Sequence, residues 1–187
     1  MVLAPQLEDI DRQLTDARQR AHGVATRVGT ASWSTRPAPG EWSVAECFIH
    51  LNLTSHAFLP LIRDALSRAR ARKLLSPGPY RRDIIGWFVG WVTEPPTRFR
   101  VKTTAPFVPA AIDPPATVLE MFDAHQEELR ACVREAHGLD LSRIRLASPF
   151  HPRLKYNLYS CLRIIPAHQR HHLVQAENVI RTLDSAK

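Results

Sequence analysis

Three of the nine histidines in the chain lie within five residues near the C-terminus, at His168, His171 and His172. Leucine, isoleucine and valine recur around them at spacings of three and four, which predicts an α-helix. Residues four apart stack on one face of a helix, so His168 and His172 are expected side by side on its apolar stripe. Two imidazoles placed in this way form half of a metal site, and a third ligand has to come from another helix.

His50 is the residue that fits as the third ligand. It belongs to a second helical segment, where the spacing of the apolar residues puts it on the stripe that faces the core. A lone histidine in such a place is more often a core residue with a hydrogen-bond partner than a ligand. Together with His168 and His172, however, His50 completes a set of three imidazoles that can hold one ion.

The other histidines of the predicted helices rank lower as ligands. His171 lies about 100° around its helix from His172 and is assigned to a flank. His125 falls on or near the apolar face of a third helix, so it is a weak candidate for a fourth ligand and fits a core histidine better. His56 lies off the apolar stripe of its helix and is predicted to be structural or exposed.

Two polar residues are near the histidines by helical spacing and could orient the rings. Glu46 is one turn before His50, and Gln175 follows His172 by three positions. Metal-binding histidines usually donate their second ring N–H to such a group. For Glu46 a different role is favoured, because Ser43 and Glu46 have the spacing of a capping box at the start of a helix.

Apolar periodicity predicts four main helices and therefore an all-α fold. Their ranges are about 5–27, about 43–73, about 116–136 and about 157–184; the last begins at residue 156 or 157, and Asn157 can cap it. The first helix has a single apolar stripe, formed by Leu7, Ile10, Leu14, Ala17, Ala21 and Val24. A second capping box is predicted at Thr117 and Glu120. Pro60 is expected to kink or split the second helix, and we hypothesise that a kink at Pro166 aims the two nearby histidines inward.

The segment 74–115, between the second and third helices, is rich in proline. It contains a short hydrophobic helix at about 82–93 and an extended piece at 99–103. Because a structureless loop of this length is uncommon in a compact domain, we predict a crossover connection between parallel helices. Its aromatic residues Trp87, Phe88 and Trp91 are predicted to pack over one opening of the bundle.

Length and composition indicate one globular domain spanning residues 1–187. Hydrophobic residues make up 44% of the chain and charged residues 23%. No apolar run approaches the roughly 20 residues of a membrane span, so no membrane partner is expected. The three cysteines, Cys47, Cys132 and Cys161, are predicted to be buried reduced thiols of a cytoplasmic protein.

The chain is basic, with a formal net charge of +7. Such a charge could indicate an acidic partner. The arginines are scattered, however, and neither a basic stripe nor a recognition-helix motif is visible. A nucleic-acid partner is therefore not expected.

The stretch 37–51, which reads PAPGEWSVAECFIHL, is followed far along the chain by His168-x-x-x-His172-x-x-Gln175. This combination resembles the DinB/YfiT-like superfamily over most of the chain. The resemblance implies a four-helix bundle of up-down-down-up order, in which His50, His168 and His172 bind a divalent metal, nickel or zinc. Its characterised members include thiol-dependent S-transferases and a mycothiol-dependent isomerase, while many members have no known reaction.

Three neutral imidazoles with an open fourth position are typical of a catalytic metal site. The main hypothesis is a metal-dependent enzyme, S-transferase-like or hydrolase-like, with a small-molecule substrate and a low-molecular-weight thiol as a candidate partner. The alternative is a non-catalytic metal- or small-molecule-binding stress-response module on the same fold. The sequence leaves open whether the protein is an enzyme, assigns no catalytic residue, and is compatible with a homodimer.

Overall fold

The computed structural model describes residues 3–96 and 102–186. Over these residues it contains five α-helices, one 3₁₀ turn at Ala105–Phe107 and a small antiparallel sheet. The helices are α1 Pro5–Val28, α2 Val44–Ala71, α3 Ile84–Thr93, α4 Pro115–Glu135 and α5 Leu158–Ser185; the strands are β1 Arg145–Ala147 and β2 Lys155–Asn157. None of these helices has the length and apolar character needed to cross a membrane.

The four long helices enclose the core. Both α1 and α2 pack against α4 and α5. The apolar stripe predicted for α1 is buried at every position, and its members are Leu7, Ile10, Leu14, Ala17, Ala21 and Val24. This mostly helical architecture confirms the all-α prediction in broad terms, because spacings of three and four place one apolar face of each helix inward.

The start of α2 is fixed by the predicted capping box. The Ser43 hydroxyl accepts a hydrogen bond from the Glu46 backbone N–H, and the Glu46 carboxylate accepts one from the Ser43 backbone N–H at 2.8 Å. Arg36 also donates to this carboxylate, with Nε 2.9 Å from Oε2. Burial raises the pKa of Glu46, but the hydrogen bonds from Arg36 and Ser43 outweigh burial and hold the pKa below its ordinary value.

One local prediction about a helix end is wrong. The capping box at Thr117 and Glu120 does not form, because α4 begins earlier, with Pro114 at its N-cap and Pro115 inside its first turn. Proline suits the first helical turn because its missing N–H would have no helical partner there.

Pro60 was expected to kink or split the second helix, and α2 continues through that residue without a break. The kinks at Pro60 and Pro166 stay predictions.

The short helix predicted within 74–115 is present as α3, and it packs on α5 through glycines. A Cβ atom added to Gly86 would lie 2.1 Å from the Ser160 Cβ atom, so the two helices approach too closely for any side chain at this position. Asp83 caps α3 by accepting from the Gly86 N–H at 2.9 Å, and it also accepts from the Ser160 hydroxyl at 3.1 Å. The extended piece predicted at 99–103 lies mostly outside the described residues.

The prediction for the aromatic residues of α3 is also wrong. Trp87, Phe88 and Trp91 were expected to pack over the bundle, but 49%, 53% and 37% of their surfaces are exposed. The glycine face of α3 is the one that meets α5, and the large side chains therefore point away from the core.

The two-stranded hairpin of β1 and β2 was not predicted. Leu146 pairs with Tyr156 in its centre, and both side chains are buried. Strands of three residues are too short to be recognised from an alternation of apolar and polar residues. The hairpin leads directly into α5, whose N-cap is Asn157, as predicted, accepting from the Ser160 N–H at 2.8 Å.

We predict that Gly86→Ala lowers the free energy of unfolding by about 1–3 kcal/mol, because the new methyl group would overlap the Ser160 side chain. Chemical denaturation followed by circular dichroism measures this change. Gly23→Ala in α1 is the matched control, since a Cβ atom there meets nothing within 4 Å. The control is expected to be stabilising by about 0.5–1 kcal/mol, and equal losses in both variants would contradict the proposed close contact.

We predict that Glu46→Gln lowers the free energy of unfolding by about 1–2 kcal/mol at neutral pH, because a charged cap and its pairing with Arg36 are lost. The pKa of Glu46 is lower in the folded state than its ordinary value of 4.5. The carboxylate therefore stabilises the fold above about pH 4.5, and this contribution disappears as pH falls through the folded-state pKa.

The difference in melting temperature between the wild type and Glu46→Gln should consequently shrink in acid. Glu41→Gln, at an exposed residue of the preceding loop, is the control and should change little at either pH. A difference between the wild type and Glu46→Gln that is the same at pH 7 and at low pH would exclude a charge-dependent role.

Candidate metal centre

The structure brings together the three histidines selected from the sequence. The ligand nitrogens of His50, His168 and His172 all lie within 4.8 Å of one another. The Nε2 atoms of His50 and His168 are 3.3 Å apart. Two nitrogens bound tetrahedrally to a zinc ion at about 2.0–2.1 Å would be roughly 3.4 Å apart. The spacing therefore suits one ion held by all three rings, whose role as ligands stays a prediction.

Two packed helices place these rings. His168 and His172 are one turn apart on α5, and α2 packs against that face to bring in His50. The ring centroids of His50 and His172 are 4.4 Å apart, and those of His168 and His172 are 4.6 Å apart. His50 is 2% exposed and His172 8% exposed, whereas His168 is half-buried.

Hydrogen bonds on the outer side of two rings determine which nitrogen faces inward. The Nδ1 atom of His50 is 2.8 Å from the backbone carbonyl of Phe107, and Nδ1 of His172 is 2.9 Å from Oε1 of Gln175. Both partners are oxygen acceptors, so each Nδ1 carries the proton and donates it. The Nε2 atoms of His50 and His172 then keep their lone pairs, which suits them to coordinate a cation. Gln175 thus has the orienting position that its spacing indicated.

The three rings are held in the neutral form that binds metals. Burial lowers the pKa of His50, and it lowers the pKa values of His168 and His172 well below the ordinary value. The neighbouring imidazoles lower the pKa values of His168 and His172 further, because protons on adjacent rings would repel each other. Neutral imidazole is the ligand form of histidine, so none of these rings has to lose a proton at pH 7 before coordinating a metal.

Aromatic side chains line the centre. The ring of Trp42 lies 5.0 Å from that of His50 and stacks on that of His172 at 5.8 Å. Phe150 lies 5.7 Å from His168, and its ring contacts Phe107 at 4.6 Å. Sequence reasoning missed Trp42 and Phe150 as parts of the site. Trp42 immediately precedes the cap of α2, which could have indicated its place, but nothing in the sequence connects Phe150 to His168.

The other candidate residues do not belong to the cluster of His50, His168 and His172. His171 is half-buried on the flank, with its ring 5.0 Å from that of His172. His125 is a buried residue of α4 beside Asn52, as expected for a core histidine, and His56 is exposed as predicted. Glu46 does not orient His50, since Ser43 and Arg36 bind its carboxylate.

The histidine cluster contains neither a carboxylate nor a thiolate among the residues that the structure describes. All three cysteines are buried, as predicted, and none belongs to the cluster. An ion held by three neutral rings would keep its full positive charge. Such a centre can attract an anionic ligand or polarise a neutral one.

Comparison with known proteins agrees with the geometry. A family model described as the DinB superfamily matches residues 13–176, a range that includes all three histidines and Gln175. Neither a curated protein nor a solved structure gives a significant match. Because the family model covers most of the sequence, from the middle of α1 to the third quarter of α5, the chain belongs to the DinB superfamily.

Proposed function

We propose that this protein binds a divalent metal ion, nickel or zinc, through His50, His168 and His172 and uses it to activate a small-molecule nucleophile. The observation that carries the proposal is the convergence of three ring nitrogens, two of them from buried histidines, within 4.8 Å of one another. The fixed Nδ1 hydrogen bonds of His50 and His172 add to it, because they leave the coordinating nitrogens free.

Thiol transfer is the reaction that we propose, with hydrolysis as the second choice within the same class. A divalent ion in such a site lowers the pKa of a water molecule or a thiol that it holds. A thiol has an ordinary pKa of about 8.5, far below that of water, so a much smaller lowering of its pKa ionises it at neutral pH. Hydrolytic centres commonly add a glutamate as general base. Here the nearby Glu46 is bound by Ser43 and Arg36.

The chain's own residues would orient the reactants. Phe107 and Gln175 hold the imidazoles in place through Nδ1, so that little rearrangement accompanies metal binding. The rings of Trp42 and Phe150 present apolar surface beside the histidines. Apolar walls reduce the access of water and suit the carbon skeleton of an electrophilic substrate.

A non-catalytic metal- or small-molecule-binding module is the second candidate function. It is favoured by the deep burial of His50 and His172, which are 2% and 8% exposed. The 3₁₀ turn Ala105–Phe107 also covers one side of the centre, because its Phe107 carbonyl contacts His50. In this function the ion would hold α2 and α5 together.

We further propose that the four long helices run in up-down-down-up order. The packing of α2 against α4 supports this order, because a long connection between them allows parallel neighbours. We also propose a cytoplasmic location, which is supported by the three buried free thiols.

We predict that wild-type protein, purified without a histidine tag, carries about one nickel or zinc ion per chain and that His168→Ala loses it, because two rings cannot replace a three-ligand site. Elemental analysis by mass spectrometry measures the content. His56→Ala, at an exposed histidine of α2, is the matched control and should retain the metal. Wild-type protein that stays metal-free in excess nickel and zinc would refute the metal site.

We predict that metal-loaded wild-type protein joins a low-molecular-weight thiol to an electrophile and that His168→Ala does not. The decline of free thiol, measured against His56→Ala as the active control, tests this reaction. Full metal occupancy without thiol transfer or hydrolysis of ester and amide probes would instead support the non-catalytic module.

We predict that Gln175→Leu weakens metal affinity by about 10–100-fold, because the His172 ring loses the acceptor that orients it. Competition with a chromophoric chelator measures this affinity. Gln19→Leu, at an exposed position of α1, is the control and should bind metal like the wild type. Equal affinities in all three proteins would show that Gln175 has no orienting role.

A further inference from the structure

Helix α3 exposes an apolar surface that the metal centre does not use. Ile84, Trp87 and Phe88 are 86%, 49% and 53% exposed. Their spacings of three and four place them on one side of the helix. We call this surface the α3 face; its members are Ile84, Trp87, Phe88 and Trp91. The ring of Trp91 stacks on that of Trp87 at 6.5 Å with an interplanar angle of 9°.

The arrangement reverses the usual pattern of a helix on a protein surface, which turns its apolar side inward. In α3 the buried residues are Gly86 and Gly90, and the sequence Ile84–Thr93 contains no charged residue at all. The contact at Gly86 leaves no space for a side chain, so α3 cannot turn its large residues toward α5. A contiguous exposed apolar patch of this kind marks an interaction surface.

Two arginines lie at the N-terminal end of α3. Arg81 and Arg82 precede the N-cap residue Asp83, and both are exposed. The Nη1 atom of Arg82 is 3.1 Å from the place that a Cβ atom of Gly90 would take, so its guanidinium group lies against the glycine side of α3 and flanks the α3 face. Within residues 3–96 and 102–186, neither arginine forms a salt bridge.

The carboxylates at the two ends of α3 are already paired inside the protein. Asp83 forms a salt bridge with Arg145 at 3.1 Å, and Glu94 forms one with Arg170 at 2.6 Å. They therefore leave the charge of Arg81 and Arg82 uncompensated at this surface. The chain as a whole is also positively charged, with a formal net charge of +7.

We propose that the α3 face docks on an anionic lipid surface. Tryptophan and phenylalanine side chains favour the boundary between headgroups and acyl chains, and the flanking arginines complement anionic headgroups. A second copy of the chain fits the charges less well, because two such faces would bring four arginines together without a free carboxylate. The expectation of no membrane partner rested on the lack of a spanning helix, which surface docking does not require.

Sedimentation of the full-length protein with lipid vesicles tests this proposal. Vesicles of phosphatidylcholine with phosphatidylglycerol are compared with vesicles of phosphatidylcholine alone. We expect partitioning to be at least about tenfold stronger on the anionic vesicles and to weaken as salt is raised. Trp87→Ser combined with Phe88→Ser should reduce it at least about tenfold, and Arg81→Gln combined with Arg82→Gln should also reduce it.

Met121→Ser is the matched control, because Met121 is an apolar residue of α4 that is 47% exposed. It should bind vesicles like the wild type, and circular dichroism should show that all variants are folded. Four results would overturn the proposal: no binding to anionic vesicles, equal binding to neutral vesicles, binding unaffected by the aromatic double substitution, or equal loss with Met121→Ser. A different outcome is that the protein fails to bind vesicles and instead self-associates in sedimentation velocity. If substitution of Trp87 and Phe88 then abolishes this self-association, the α3 face binds a second copy of the chain.

Discussion

The structure depends on one constraint: two buried imidazoles are fixed so that their lone pairs face the same small region. The Phe107 carbonyl accepts the Nδ1 proton of His50, and the Gln175 side chain accepts that of His172. Each ring is therefore a neutral acceptor on its inner side, and burial disfavours protonation there. His168 adds a third ring nitrogen, and the three nitrogens lie within 4.8 Å of one another. The packing of α2 against α5 is what brings His50 to the pair.

The long connection between α2 and α4 contributes to this centre in two ways. Its 3₁₀ turn supplies the backbone carbonyl that orients His50, and its Phe107 ring packs against Phe150 beside His168. Earlier in the same connection, α3 is held on α5 by glycines, in the half of α5 that precedes the histidines. One segment thus covers the three histidines and also presents an apolar surface outward. The histidine cluster and the α3 face share α5 as their support, although no residue belongs to both.

Sequence reasoning worked best where a local pattern has one structural meaning. The apolar spacing of α1 identified its buried face, and the Ser43–Glu46 spacing identified the start of α2. It failed where competing local signals had equal strength. Thr117 and Glu120 have the spacing of a capping box, yet the prolines at 114 and 115 start α4 earlier. Hydrophobicity suggested that Trp87 and Phe88 would be buried, but the glycines beside them make the closer contact with α5.

The sequence by itself determined that His168 and His172 share a helix face and that Gln175 is within reach of the second ring, because helical geometry fixes the relations of residues three and four apart. It also determined that His50 lies on the inner side of α2. Only the tertiary structure decided that these two faces meet, that Phe107 orients His50 through its backbone, and that Trp42 and Phe150 line the site. These contacts join residues distant along the chain, and their formation depends on the packing of whole helices, which no local spacing encodes.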